Sequence, residues 1–349
     1  MEKMETKELY YSLPEEFIAQ YPAEEREASR LMILDRKGKS WGHSRFDSLP
    51  NYLQSGDLLV LNDTRVIPAR LIGCKVNTHR KIEVLLVKEV APRSWEALVK
   101  PGKKAPINTQ IIFGKGDLKG VVTAVCGPGK RVIEFFANGY LEAKLKQYGM
   151  VPIPPYIKRD SHHSLELDQV RYQTVYARIE GAIAAPTAGL HFTERLLERI
   201  KEQGVQILSL TLHIGPGTFR PIKSRVVGEH PMEPEYYIIE PETADIITRA
   251  KEDGRRIVAV GTSVTRALET IFGSPCQPRP LEGWTDLFMY PGYCFKVVDG
   301  LVTNFHLPGS TLLALVFAFA GKELILKAYQ AAIKERYRFY SYGDAMLII

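Results

Sequence analysis

The sequence predicts an α/β protein into which a small all-β domain is inserted. Three features of its 349 residues support this fold class. Strand-like and helix-like stretches alternate after Pro155, which is typical of an α/β layer or barrel with parallel strands. Between Leu71 and Pro152, short runs of β-formers are separated by Gly and Pro, as in a small barrel or sandwich. The length allows about two or three domains.

The first 70 residues contain too few elements to close a core of their own. Strands are predicted at Leu31–Leu34 and Leu58–Leu61, where short apolar runs are bounded by charged or turn residues. We therefore expect this segment to pack with the C-terminal part, which makes the β region an insertion. The predicted domains are a discontinuous α/β domain, residues 1–71 and 153–349, and an inserted β domain, residues 72–152.

The predicted insert is strongly basic. It contains fourteen Lys and Arg against six Asp and Glu, a net charge of +8, whereas the whole chain carries +6 and the remainder therefore −2. Such charged residues either lie on strand faces that are exposed to solvent or form a positively charged surface that binds RNA phosphates. The expected strands, followed by one short helix, are Ile82–Val87, Trp95–Val99, Gln110–Phe113, Val121–Val125, Val132–Phe136 and Leu141–Tyr148.

The C-terminal part alternates between strands and capped helices. Thr193 is placed to cap a helix that stops before Gly204, and Ser310 or Thr311 to cap the most apolar helix. The expected strands are Val205–Ile214, Arg256–Val260, Leu287–Tyr290 and Leu301–Thr303. The expected helices are Thr193–Gln203, a helix from Pro241 to Gly254, Thr262–Phe272, Ser310–Ala320 and Lys322–Arg336.

Several protein classes are disfavoured by what the sequence lacks. The four cysteines include no C-x-x-C pair, which argues against a zinc ribbon and suits a reducing cytosol. No P-loop, G-x-G-x-x-G unit or G-x-S-x-G elbow is present, which argues against an NTPase, a Rossmann dehydrogenase and an α/β-hydrolase. The charged N-terminus and the short longest apolar run, Leu312–Ala320, predict a cytoplasmic protein without a signal peptide or membrane span.

Six polar clusters, most of them containing glycine, follow predicted strands, at the edge where α/β sheets bind ligands. The first, Asn62-Asp63-Thr64-Arg65, is either a turn or a site where Arg65 holds a carboxylate or phosphate. The second, Ala185–Thr193, brings Thr187, Gly189 and His191 to a helix start that favours an anion. His191 is either a proton carrier or a hydrogen bonder of that helix start.

The third and fourth clusters combine glycine with basic or hydroxyl residues. Thr211–Arg220 places His213 and Arg220 on either side of a tight Gly-Pro-Gly loop that contains Gly215 and Gly217. In Val260–Arg266, the order strand, glycine, hydroxyl pair, helix makes an anion nest from Gly261, Thr262 and Arg266. The alternative is that Thr262 or Ser263 only caps the helix.

The fifth and sixth clusters lie near the C-terminus. Thr303–Thr311 brings Asn304 and His306 to the same edge of the sheet. Tyr337–Asp344 contains Tyr342, and its aromatic residues with Arg338 either stack on a nucleobase or pack as an aromatic tail. Although His191, His213 and His306 are chemically sufficient for zinc, no H-x-H or H-x-x-x-H spacing supports such a site, and no metal is predicted.

In this order, the clusters resemble the S-adenosylmethionine:tRNA ribosyltransferase-isomerase family of queuosine biosynthesis. The similarity spans nearly the full chain, although only IEVLL and WEALVKP look familiar in the insert. Where many members carry H-x-M-H, this chain has His230-Pro231-Met232-Glu233, and the usual V-G-T-T-S-x-R becomes VGTSVTR at Val260–Arg266. The similar stretches are LPEEFIAQYPAEEREASRLMILDR, GDLLVLNDTRVIPARL, RYQTVYARIEGAIAAPTAGLHFT, TLHIGPGTFRP, VAVGTSVTRALE, PGYCFKVVDGLVTNFHLPGSTLLALVFAFAG and YRFYSYGDAMLI.

The resemblance implies an α/β barrel-like main domain with an inserted small β-barrel. It implies transfer and isomerisation of the ribosyl moiety of S-adenosylmethionine onto 7-aminomethyl-7-deazaguanine at the wobble position of the tRNA anticodon. The products are epoxyqueuosine-tRNA, adenine and methionine. The resemblance also implies a monomer without a metal or other cofactor, because S-adenosylmethionine is consumed as a substrate.

This reaction needs a base for the C5′ proton beside the sulfonium, an acid for the departing adenine, and groups that hold anions. Histidine suits proton transfer near neutral pH. The catalytic candidates are His191, His213, His306 and Asp63. The substrate-binding candidates are Asn62, Arg65, Thr187, Gly189, Gly215, Gly217, Arg220, Gly261, Thr262, Arg266, Asn304 and Tyr342. Two alternatives are an S-adenosylmethionine-dependent RNA methyltransferase and a non-catalytic RNA-binding module that uses the basic insert.

Overall fold

A computed structural model of the chain describes residues 4–159, 162–273 and 280–349, without the side chains of residues 162–165 and 219. Its strands are β1 (Arg30–Asp35), β2 (Ser40–Arg45), β3 (Leu58–Asn62), β4 (Thr64–Val66), β5 (Arg70–Lys75), β6 (Lys81–Ala91), β7 (Ser94–Lys100), β8 (Gln110–Phe113), β9 (Leu118–Gly127), β10 (Lys130–Ala137), β11 (Gly149–Met150), β12 (Ile179–Ala182), β13 (Gln206–Leu212), β14 (Glu235–Ile238), β15 (Ile257–Val260), β16 (Glu282–Thr285), β17 (Gly300–Asn304) and β18 (Ala345–Ile348). Its α-helices are α1 (Leu141–Tyr148), α2 (His162–Arg171), α3 (Glu194–Glu202), α4 (Pro241–Glu252), α5 (Thr262–Phe272), α6 (Thr311–Ala320) and α7 (Lys322–Lys334). Its 3-10 helices are Thr6–Leu9, Glu15–Phe17, Arg26–Ala28, Phe46–Tyr52, Gly102–Lys104, Thr187–His191, Pro216–Phe219 and Val227–Glu229.

The chain divides into two compact units. The first comprises the described residues up to Arg65 together with Pro154–Lys158 and Arg171–Ile349, and the second comprises Val66–Ile153 and Arg159–Val170. The second unit is therefore wider than the insert of residues 72–152 that the sequence predicts. It also includes Val66–Leu71, with the first two residues of β5, and most of α2, which follows in a separate segment.

The first unit is built on an open nine-stranded mixed sheet. Its strand order is β16-β14-β13-β3-β15-β17-β18-β1-β2. The neighbours of β3 and β15 are parallel to them, as the strand–helix alternation predicts, whereas the pairs β16–β14 and β1–β2 at the two ends are antiparallel. A barrel-like main domain is not confirmed, because the described strands end in two antiparallel edges rather than pairing with each other.

Both faces of this sheet are covered by apolar side chains. Along β3, Leu58 and Val60 pack into one core, and Leu59 and Leu61 pack into the other. The first core contains apolar residues of α4, α5, α6 and α7, and the second contains those of α3 and the 3-10 helix Phe46–Tyr52. Alternation of side chains along a strand puts neighbours on opposite faces, so both cores together explain why β3 is buried throughout.

The second unit contains a closed six-stranded antiparallel barrel, which confirms the predicted β-barrel. The strands follow the order β5-β6-β7-β10-β9-β8, and β8 pairs again with β5 to close the ring. At this closing pair Gly73 is required, since a Cβ there would lie 2.7 Å from the Ile112 carbonyl oxygen. The interior is filled by alternating apolar residues such as Ile82, Val84 and Phe135.

One strand that the sequence predicts is wrong. The predicted strand Leu287–Tyr290 is irregular, because the backbone of Leu287 is held by side chains: its N–H donates to Thr285 Oγ1 and its carbonyl accepts from Arg266 Nε. The strand lies earlier, at β16.

In the described part of the chain, no helix is long and apolar enough to cross a membrane.

Candidate active site

A cleft that encloses about 490 Å³, including the open solvent at its mouth, lies at the carboxyl ends of β15 and β17 in the first unit. This is the edge of an α/β sheet where ligands bind. Its wall is partly apolar, with Ala185, Ile214 and Leu312 among its members. Of the residues predicted from the sequence, the cleft brings together Thr187, Gly261, Thr262, Arg266, Asn304 and His306.

Gly261 lets β15 turn directly into α5. Its φ of 95° and ψ of 155° lie in a region that is essentially restricted to glycine. The Gly261 N–H donates to Val302 O of β17 at 2.7 Å, which ties the turn to the neighbouring strand. Thr262 and Ser263, the first residues of α5, line the cleft. A helix start of this kind favours a negatively charged group, because its N–H groups lack partners within the helix.

His306 is anchored on one side and lines the cleft with the other. Its Nε2 lies 2.7 Å from Thr303 Oγ1, and its backbone N–H donates to the Tyr329 hydroxyl at 3.0 Å. Within the described residues, no hydrogen bond involves its Nδ1. Burial lowers the pKa of His306 to about 3, so the ring is neutral at neutral pH. The ring therefore does not hold a second proton at rest, and the same burial makes it a weaker base than an exposed histidine.

Arg266 forms a buried ion pair with Glu235, a residue that the sequence analysis missed. The two side chains are both 4% exposed, and Arg266 Nη1 donates to Glu235 Oε2 at 2.5 Å. The other oxygen, Oε1, accepts from the Gly215 N–H and from Thr218 Oγ1, both at 2.9 Å. Arg266, which was predicted to bind an anion, thus binds a carboxylate of the protein itself. This carboxylate, Glu235, also fastens the Gly-Pro-Gly loop to the cleft.

His191 lies behind the cleft and orients Asn304. Asn304 donates from its amide nitrogen to Tyr340 O at 2.8 Å, which directs its oxygen to His191 Nε2 at 3.2 Å. This arrangement assigns the proton to Nε2, and Nδ1 accepts from Ser29 Oγ at 2.7 Å. Burial is the main cause that lowers the pKa of His191 to about 4. Both ring nitrogens are used within the fold.

Asp63 and His213 lie outside the cleft, in a cluster of their own. Asp63 accepts from Thr211 Oγ1 at 2.6 Å and pairs with Arg178 at 3.0 Å. His213 Nδ1 lies 2.8 Å from Thr64 Oγ1. Burial lowers the pKa of His213, and the nearby charge of Asp63 partly opposes this shift. His213 is therefore mainly neutral at neutral pH, like His191 and His306, but it does not line the cleft.

Asn62 is held in a network of hydrogen bonds within the fold. Its amide nitrogen donates to Leu212 O at 2.9 Å and to Ser263 Oγ at 3.2 Å. Its amide oxygen accepts from the N–H groups of Thr64 and Leu212 at 3.1 and 3.0 Å. The side chain is fully buried and all its hydrogen-bonding positions are occupied.

The other predicted binding residues are distributed around the first unit. Arg65 is exposed and donates to Ala177 O, and Arg220 pairs with Glu233 at 2.7 Å, beside Gly217. Gly189 packs under Tyr176, whose hydroxyl would lie 2.1 Å from a Cβ at that position. Tyr342 is 3% exposed and lines a second pocket with His191. No group of three or more His, Cys, Asp or Glu suited to a metal occurs among the described residues.

Comparison with known proteins assigns the family. A family model described as "Queuosine biosynthesis protein" matches residues 6–348. This chain belongs to that family. A relative from Moorella thermoacetica, named S-adenosylmethionine:tRNA ribosyltransferase-isomerase, is 52% identical over 347 residues, covering 99% of this chain and all of the relative. A relative of the same name from Caldanaerobacter subterraneus subsp. tengcongensis is 50% identical over 346 residues, again 99% of this chain and all of the relative.

A solved structure is similar over the whole length as well. The crystal structure of S-adenosylmethionine tRNA ribosyltransferase from Thermotoga maritima at 2.00 Å resolution is 39% identical and covers 98% of this chain and all of its own, with a TM-score of 0.55. The resemblance drawn from the sequence motifs is therefore confirmed at the level of the family.

Proposed function

We propose that this chain transfers and isomerises the ribosyl moiety of S-adenosylmethionine onto 7-aminomethyl-7-deazaguanine at the tRNA wobble position. The products are epoxyqueuosine-tRNA, adenine and methionine. The observation that carries this proposal is the full-length identity of about 50% to relatives that are named for this reaction. The cleft supports it independently, since it combines a helix start, a neutral histidine and apolar walls.

S-adenosylmethionine binds in the cleft. The cleft lies at the carboxyl ends of β15 and β17, where α/β sheets bind ligands, and its wall combines apolar residues with hydroxyl, amide and imidazole groups. The methionine carboxylate lies at the start of α5, where the backbone N–H groups and the hydroxyl of Thr262 provide donors. Arg266 is already neutralised by Glu235 and contributes by holding the cleft wall in place.

His306 is the general base for the C5′ proton beside the sulfonium. Of the three predicted histidines it alone lines the cleft, and its ring is neutral. Because burial disfavours the imidazolium, the proton that it accepts is readily passed on, and the departing adenine needs one. His191 acts through Asn304, whose amide it holds in the cleft wall. Asp63 and His213 play no direct part in this scheme.

The tRNA contacts both units, with the basic barrel supplying phosphate contacts. Residues 72–152 carry a net charge of +8, and Lys103, Lys104, Lys115 and Lys119 are exposed there. The first unit is accordingly the catalytic domain and the second an RNA-contacting domain. The enzyme is a cytoplasmic monomer that needs no metal or other cofactor.

Mass spectrometry of the reaction products tests this function. The protein is mixed with S-adenosylmethionine and tRNA that carries the aminomethyl-deazaguanine. Free adenine, free methionine and a matching gain of mass on the wobble base are expected, and His306→Gln should lower the rate by about 10²–10⁴-fold. S-adenosylhomocysteine with a methyl gain would instead identify a methyltransferase, and tRNA binding without turnover would identify a binding module.

A further inference from the structure

A second pocket of the first unit is lined by three arginines and, among the residues that the structure describes, by no acidic side chain. It encloses about 270 Å³, including open solvent, and its arginines are Arg26, Arg171 and Arg338. Burial, and to a smaller extent the neighbouring charge of Arg171, lowers the pKa of Arg26. We call this the arginine pocket.

Two carboxylates that are close to these arginines in the sequence, Asp344 and Glu27, have hydrogen-bond partners of their own. Asp344 is buried and accepts from the backbone N–H of Arg338 at 2.8 Å, with its other oxygen 3.5 Å from the Arg338 guanidinium. Glu27, which follows Arg26 in the chain, is engaged elsewhere by Arg195 and Thr193. The lining of the arginine pocket, as far as the structure describes it, therefore holds three guanidinium groups and no carboxylate.

The donors of the pocket are held in place by the backbone. Arg171 donates to the carbonyls of Ala23 and Glu24 at 2.6 and 3.0 Å, while its buried Nε–H has no acceptor among the described residues. Arg26 donates from one nitrogen to Leu190 O at 3.0 Å. A planar guanidinium group that is fixed in this manner can donate two parallel hydrogen bonds to two oxygens of one phosphodiester.

The arginine pocket is connected to the cleft through one side chain. His191 lines the pocket, and its Nε2 lies 3.2 Å from the oxygen of Asn304 in the cleft wall. We propose that the arginine pocket binds a backbone phosphate of the tRNA next to the nucleotide that reacts in the cleft. This inference rests on the proposed function, because it takes tRNA to be the substrate.

The test is tRNA binding in the absence of S-adenosylmethionine, measured over a range of salt concentrations. Arg26→Gln and Arg338→Gln should each weaken binding about tenfold or more at low salt. Each should also reduce the slope of log K against log salt by about 0.7, the value for one single-strand phosphate contact. The KM for S-adenosylmethionine should change less than about twofold, because that substrate binds in the other cleft. Arg249→Gln, on the exposed surface of α4, removes the same charge elsewhere and should change neither quantity.

A footprint on the wild-type protein covers the case in which a variant does not fold. Modification of arginines by phenylglyoxal, located by mass spectrometry, should be slowed at Arg26 and Arg338 by tRNA and not by S-adenosylmethionine. Protection by S-adenosylmethionine alone would assign the pocket to the methionine carboxylate and overturn the proposal. Bound tRNA with both arginines unprotected would overturn it while leaving the proposed function intact. Failure of the wild-type protein to bind tRNA would overturn both.

Discussion

Replacing Glu235 with glutamine should destabilise the first unit, because Arg266 would keep its charge without a counter-charge. Both side chains are 4% exposed, so water cannot replace the lost carboxylate. The glutamine oxygen can still accept from Gly215 and Thr218, and the change therefore isolates the ion pair. Removing one partner of a buried pair costs about 3–5 kcal/mol, and we expect a loss of this size in the free energy of unfolding.

Urea unfolding followed by tryptophan fluorescence measures this loss. Trp284 of β16 lies 5.2 Å from Tyr236 of the neighbouring strand β14, which also contains Glu235, so its emission reports on the affected region. A thermal scan gives a second reading, with an expected fall of about 6–20 °C for a unit of this size. Glu233→Gln is the matched control, because its pair with Arg220 is about 40% exposed and should be worth about 0–1 kcal/mol.

A double variant separates the charge from the packing. Arg266→Met combined with Glu235→Gln removes both charges and should lose less stability than Glu235→Gln alone, since no unpaired buried charge remains. A loss below about 1 kcal/mol for Glu235→Gln, equal to that of the control, would show that Arg266 is compensated by other groups and would refute the reasoning.

Three further predictions concern pH, the turn at Gly261 and RNA binding. Folding lowers the pKa of His306 from 6.5 to about 3, so its contribution to stability is complete above pH 7 and is lost as the pH falls. Between pH 7 and pH 5, the free energy of unfolding of the wild type should therefore fall by about 2 kcal/mol more than that of His306→Gln. Equal pH profiles for the two proteins would contradict this. Gly261→Ala should cost about 1–3 kcal/mol and raise the KM for S-adenosylmethionine, whereas Gly254→Ala, also at positive φ but at the opposite end of β15, should leave KM unchanged. Four exposed lysines of the barrel are Lys103, Lys104, Lys115 and Lys119. Neutralising them together should reduce the slope of log K against log salt for tRNA binding by about one to three, and an unchanged slope would show that the barrel does not contact the tRNA.

Local elements are predictable here because their signals lie in adjacent residues. Thr193 and Ser310 are expected as helix caps, and their hydroxyls accept from the N–H groups of Leu196 and Leu313 at 3.1 and 3.2 Å. Glu235 gives no such signal. It reaches Arg266, 31 residues away, only because β14 pairs antiparallel with β13 and brings its first residue beside the Gly-Pro-Gly loop. Pairing between distant strands depends on the whole sheet and not on the residues that surround Glu235.

The order of the strands also explains why the six polar clusters do not form one site. β3 lies between β13 and β15, and Asn62 at its carboxyl end bonds to Leu212 on one side and to Ser263 on the other. These bonds close the edge of the sheet above β3, and Asp63 is engaged by Thr211 instead. The cleft lies at the carboxyl ends of β15 and β17, and Ile214, Thr218 and Glu235 reach it from the other side of β3. Each cluster follows a strand in the sequence, but the strand order decides which clusters become neighbours.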